Sequence, residues 1–196
     1  MNTLFLKSGI LTTVLLFTTA CSQKNTDKSS SQVKTDQSLV VATDSAKIIE
    51  AKKKAAKEEL GKLPKPYNDK ENAEQKIKEL VVQAKKENKN IMIQAGGNWC
   101  IWCLRFNQYV QTTPELKKIV DQNYLYYHLN YSPENKNEKV FAKYDHPGDK
   151  FGYPVFLVLD QSGKLIHTQD SAVLEEGKGY SLEKTKEFFL KYVPQK

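Results

Sequence analysis

Apolar and polar residues alternate with two different periods along the chain, and the change of period marks out its elements. Ile77, Leu80, Val81 and Ala84 recur at helical spacing, predicting an amphipathic helix over roughly 70–88. Asn68-Asp69-Lys70-Glu71 reads as its capping box, with a side-chain oxygen first and a glutamate three residues later. Asn88-Lys89-Asn90 breaks it. Ile91-Met92-Ile93, bounded by Gly96-Gly97, is short and wholly apolar, the pattern of a strand buried on both faces. A second apolar-patterned stretch runs from Cys100 through Tyr109. Tyr124–Tyr131 is aromatic-rich and strand-like, Glu138–Tyr144 helical, and Tyr153–Asp160 a strand. The turn Asp160-Gln161-Ser162-Gly163 lets Lys164–Thr168 return as a hairpin partner. Leu182, Lys186, Phe189, Leu190 and Val193 suggest a last helix. Helices interleaved with strands in this order predict an α/β fold, a central mixed sheet flanked by helices.

The first 66 residues follow different rules. One positive charge, Lys7, precedes the apolar stretch Ile10–Phe17, which is too short to cross a bilayer (about 20 residues are needed) but suits a signal peptide. Thr18-Thr19-Ala20-Cys21 resembles a bacterial lipobox, which makes residues 1–20 a lipoprotein leader and Cys21 the lipidation site. The motif departs from the pattern at Thr18, where leucine is usual, so an ordinary signal peptide is the competing reading. An acylated Cys21 would hold the protein on a lipid membrane, since each buried CH₂ contributes about 0.8 kcal/mol and two chains suffice. Residues 21–66 are polar and lysine-rich and read as a flexible tether; Ser45–Leu63 is its helical part, ended by Pro64 and Pro66. The folded domain is then 67–196.

Charge changes the picture little. The net charge is +7, and +6 without residues 1–20, which carry Lys7 and no acid. The lysines are mixed with acids and Arg105 is the sole arginine, so no stripe suits nucleic acid.

Trp99-Cys100-Ile101-Trp102-Cys103 carries the chemistry. Disulfide exchange needs one thiolate to attack and a second thiol near enough to resolve the mixed disulfide. At the start of a helix the first sulfur meets unpaired N–H groups, which favour its thiolate. Cys100 is therefore the candidate nucleophile and Cys103 the resolving thiol. Zinc sites use the same spacing but want four ligands. There is no second CxxC, and His128, His146 and His167 show no ligand spacing. Trp99 and Trp102 read equally as core packing or as flanks of the site.

From Tyr67 onward the chain resembles the thioredoxin-like superfamily, particularly small exported members with Gly-x-x-Trp-Cys-x-x-Cys. The resemblance rests on strand, CxxC, a further αβα unit, Gly152-Tyr153-Pro154 opening a strand, and a glycine hairpin. It implies a thioredoxin-like fold and a cis Pro154 facing the cysteines, with the Tyr153 backbone free to pair with an extended substrate. Trp99, Trp102, Tyr153 and Pro154 become candidate substrate-binding residues. It implies an extracytoplasmic thiol–disulfide oxidoreductase acting on protein disulfides as reductant or isomerase, with no cofactor. An electron donor, such as a membrane thiol–disulfide transporter, is the expected partner. The place would be the cell envelope: periplasm, or outer membrane if a second membrane exists, since Ser22 stands where inner-membrane retention would carry aspartate. A non-catalytic binding module and a Cu(I) metallochaperone remain as alternatives. One departure matters: thioredoxins carry a buried aspartate six residues before the first cysteine, and here that residue is Gln94. Another group, a glutamate or histidine through water, would have to take the Cys103 proton, or resolution would be slower.

Overall fold

The computed structural model describes residues 36–195, with side chains from residue 47. The expected leader and Cys21 lie outside the described residues. The first element is a long helix, α1 (Asp36–Lys62), which begins ahead of the expected Ser45. The folded part runs α2 (Ala73–Glu87), β1 (Asn90–Gly96), α3 (Ile101–Thr112), α4 (Pro114–Asn123), β2 (Tyr124–Asn130), α5 (Glu138–Lys143), α6 (Pro147–Phe151), β3 (Val155–Leu159) and β4 (Leu165–Asp170). A 3-10 turn, a two-residue hairpin of β5 (Glu175–Glu176) and β6 (Gly179–Tyr180), and α7 (Leu182–Lys191) complete it.

The four main strands are ordered β2-β1-β3-β4; β1 runs parallel to β2 and antiparallel to β3, and β3 is antiparallel to β4. The sheet is mixed, as the pattern of elements predicted. All seven residues of β1 are buried because it is paired on both sides and covered on both faces. Side chains alternate along a strand, so Ile91, Ile93 and Ala95 join Leu129, Val155 and Leu157 in a core under α2 and α5. Met92, Phe156 and Val158 face the other way, toward Phe106, Leu116 and Phe189 of α3, α4 and α7.

Two expectations need correction. The cap of α2 is Asn72, whose side chain accepts from Gln75 N–H at 3.1 Å. Asn68 instead closes a local turn onto Lys70 N–H. The real cap lies where the apolar periodicity begins, next to buried Ala73 and Ile77. The stretch from Cys100 to β2 holds two helices, not one. Pro114 has no N–H and stands at the first position of α4, so the chain must turn after Thr112.

Candidate active site

Cys100 is the N-cap of α3: its backbone is extended, and its Sγ accepts the Cys103 N–H at 3.1 Å. The sulfur that meets the helix N-terminus is therefore the first one. It is bonded to Cys103 in a disulfide, with the two Cα atoms 5.2 Å apart. Cys100 keeps 6% of its surface exposed and Cys103 none, so the two sulfurs differ in access. The Tyr153 carbonyl oxygen lies 3.5 Å from Cys100 Sγ, and the Tyr153–Pro154 bond is cis.

The approach to the sulfurs is tight. A methyl group on Gly96, at the end of β1, would overlap Cys103 Sγ and press on Tyr67 Oη at 3.1 Å. Only glycine admits that closeness. Around the mouth, Trp99 stands half exposed, edge-on to Tyr153, and donates its indole N–H to the Tyr131 carbonyl at 2.7 Å. An open groove of about 750 Å³ beside it is lined by Asn98, Trp99, Tyr131, Ser132 and Pro133, among others. A smaller groove near α2 and α5, about 430 Å³, lies away from the sulfurs.

A scan of family models matches residues 72–161 to a family described as thioredoxin-like. The fold of the domain is thioredoxin-like. Among solved structures, a disulphide isomerase from Xylella fastidiosa Temecula1 is similar at 19% identity with a TM-score of 0.55, covering 66% of this chain and 97% of that one. The oxidised C-terminal domain of DsbD from Neisseria meningitidis is similar at 19% identity and a TM-score of 0.45, covering 62% of this chain and 95% of that one. No curated protein matches.

In this thioredoxin-like domain the structure gathers Cys100, Cys103, Trp99, Trp102, Tyr153 and Pro154 at one end of the sheet. Trp102 is partly buried: it packs edge-on against Tyr180, and the Arg105 guanidinium covers its ring at 5.0 Å. Arg105 in turn makes a two-pronged ion pair with Glu59 of α1, both contacts at 2.7 Å. That bond holds the Glu59 carboxyl below its ordinary range. Leu60 and Leu63 pack against the cluster of Tyr67, Cys100, Cys103 and Leu104. The end of α1 thus touches the active-site helix, a contact that the lysine-rich composition of residues 45–63 does not announce.

Beneath the cysteines lies a polar patch. Gln94, fully buried, donates its side-chain N–H to the Cys103 carbonyl at 2.9 Å and accepts from Tyr126 Oη at 2.7 Å. His128 is the register partner of Gln94 across β1 and β2. Burial pulls its imidazole down to about 4, so the ring is neutral at neutral pH. The Tyr67 ring meets it edge-on at 5.1 Å. Tyr67 Oη and His128 Nε2 are both buried without a hydrogen-bond partner among the described residues. Sequence spacing alone gave His128 no role. Only the parallel register of β2 against β1 reveals where it sits.

Proposed function

We propose that this chain is a thiol–disulfide oxidoreductase acting on protein disulfides outside the cytoplasm, as reductant or isomerase. The observation that carries this reading is the asymmetry of the pair. Cys100 caps a helix, accepts an N–H and keeps some exposure, whereas Cys103 is sealed beneath it. In the reduced protein, the Cys100 thiolate attacks a client disulfide and forms a mixed disulfide, releasing one client sulfur. Cys103 then attacks Cys100 Sγ, closes the 100–103 disulfide and releases the second client sulfur, leaving the client reduced by two electrons. Trp99, Trp102, Tyr153 and Pro154 frame the mouth where an extended client would lie, beside the groove at Trp99. The electron donor that reduces the pair again is a second partner, with a membrane thiol–disulfide transporter as the candidate. An intact dithiol in this geometry favours turnover over passive binding.

Cys103→Ser should accumulate mixed disulfides with client proteins, because attack proceeds and resolution does not; Cys100→Ser should accumulate almost none. Non-reducing electrophoresis of cell extracts reads both. Equal trapping by the two variants would refute the division of roles.

The envelope location belongs to the same proposal and rests on residues 1–21, with acylated Cys21 as the anchor and 21–66 as the tether to the domain at 67–196. A clickable fatty acid fed to cells should label the wild type and leave Cys21→Ala dark. Equal labelling would remove the anchor from the proposal.

A further inference from the structure

Resolution of the mixed disulfide poses a proton problem that the sulfur geometry alone does not solve. A thiol must lose its proton before it attacks, and Cys103 is fully buried, so no bulk water takes that proton directly. Gln94, the polar side chain bonded nearest in the fold, has no titrating group, and both ends of its amide are engaged, by the Cys103 carbonyl and Tyr126. Tyr126 Oη is committed to Gln94. Arg105 is turned outward to Glu59, and the end of α1 and the residue that follows it bring Leu60 and Leu63 to this cluster. The two polar atoms left over are Tyr67 Oη and His128 Nε2. Neither has a hydrogen-bond partner among the described residues of the oxidised protein, each other included. Tyr67 Oη and Cys103 Sγ crowd the same point above Gly96, and the Tyr67 and His128 rings meet edge-on, so a small shift in the mixed disulfide closes the chain.

We propose that His128, reached through the Tyr67 hydroxyl, is the proton acceptor for Cys103 when the mixed disulfide resolves. This inference rests on the oxidoreductase reading above and gives its second step a pair of positioning residues. The balance is simple. Cys103 S–H gives its proton to Tyr67 Oη as the Tyr67 proton passes to His128 Nε2, so the phenol is regenerated. The Cys103 thiolate attacks Cys100 Sγ; the Cys100–Cys103 bond forms and the bond from Cys100 to the client sulfur breaks. The client sulfur leaves with the electron pair and is protonated by solvent, and the imidazolium later returns its proton to water.

The electrostatic surroundings suit a transient acceptor. The groups facing His128 are Gln94 from β1, Tyr126 from β2 and Tyr67 from the segment before α2, with Tyr180 of β6 near both tyrosines and Cys103 of α3 beyond Tyr67, above Gly96. None carries a charge at neutral pH, for burial pushes Tyr67 and Tyr126 well above the ordinary phenol range. The imidazole therefore starts neutral, with an open lone pair. The one charge that arises in this cluster during turnover is the Cys103 thiolate, which stabilises the imidazolium as it forms. A buried histidine held apart from every carboxylate does not release its proton into a permanent ion pair.

The test is single-turnover reaction of the detergent-solubilised, reduced full chain with an aryl disulfide whose thiolate product is coloured. The first release of colour reports attack by Cys100, the second resolution by Cys103. Tyr67→Phe removes a single hydroxyl and keeps the buried ring, so the fold should tolerate it; His128→Phe removes the acceptor itself. Both should leave the first phase unchanged and slow the second, by roughly 10²-fold at pH 6, the lower end for positioned acid–base groups. The second phase should be nearly flat from pH 5 to 8 in the wild type and rise about tenfold per pH unit in both variants, as direct loss of the proton to hydroxide takes over. A merely structural role would not create that slope. A wild-type second phase in Tyr67→Phe, where folding is not at issue, overturns the proposal, as does an unchanged pH profile in a folded His128→Phe. Failure of the wild type to show any first phase would instead refute the oxidoreductase reading itself.

Discussion

The two faces of the central sheet are built from the same strands and do opposite jobs. On one face β1 presents Ile91, Ile93 and Ala95, β2 presents Leu125, Tyr127 and Leu129, and β3 presents Val155, Leu157 and Leu159. On the other, the same strands present Gln94, Tyr126 and His128 among Met92, Phe156 and Val158. The first face is apolar and close-packed beneath α2 and α5. The second is apolar at the α4 and α7 end and turns polar where it passes under Cys103. Because successive residues point to opposite sides, one residue step in β1 separates a structural position, Ile93, from one bonded to the active-site backbone, Gln94. The contrast teaches that, within the middle of the sheet, the polar side chains Gln94, Tyr126 and His128 all lie on the face that carries Cys103.

The strongest way to break the comparison is on the apolar side. Ile93 has no exposed surface and packs in the centre of its core. Ile93→Ala should cost about 2–5 kcal/mol, lost transfer energy plus a cavity the neighbours only partly fill. Denaturation of the oxidised protein measures the loss. Because the cavity opens on the face away from the sulfurs, the reduction potential of the pair and both phases of client reaction should stay at wild-type values. A shift in potential as large as that of a variant beneath Cys103 would mean that the two faces are not independent.

How much of this was legible beforehand follows the same division. The apolar face writes itself into the sequence as period: Ile77, Leu80 and Ala84 at helical spacing and the unbroken run Ile91-Met92-Ile93 lead straight to α2 and β1. The cysteine pair was legible because its chemistry depends on local spacing. Helix α4 was missed although Leu116, Ile119 and Val120 carry its periodicity and Thr113-Pro114 announces its start. The short α6 and the β5–β6 hairpin were missed because elements of five and two residues have too few positions to show a period. Of the polar patch only Gln94 could be read, from its place six residues before Cys100; its neighbours could not. Gln94 lies 34 residues before His128 and 27 after Tyr67, and the three meet only through the parallel pairing of β1 with β2 and the return of the segment before α2. A lone histidine in an aromatic strand looks like any half-buried residue until the register is known.

The smaller expected effect lies on the polar face, in the residue next to Ile93. Gln94→Leu keeps nearly the same volume and adds no charge, so it leaves the packing of the sheet in place. It removes two hydrogen bonds at once: the donation to the Cys103 carbonyl and the acceptance from Tyr126 Oη. Both former partners are then left in a buried site, and an unmade buried hydrogen bond costs about 1–3 kcal/mol. The loss should be smaller than for Ile93→Ala, since no cavity forms and the Tyr126 hydroxyl can find a new acceptor in His128, so that one buried partner, the Cys103 carbonyl, stays unpaired. Its chemical signature should be distinct as well. The freed Tyr126 hydroxyl lies beside His128, with ring centres 5.2 Å apart, and its unpaired O–H can turn to donate to the imidazole. A donor on the open lone pair competes with the proton from Cys103, so resolution should slow while attack by Cys100 does not. Pairing the change with Tyr126→Phe removes the competing donor, and the double variant should recover the resolution rate without recovering the stability. Slow resolution that persists in the double variant would place the effect of Gln94 in the backbone of α3 at Cys103, not in the histidine beside it.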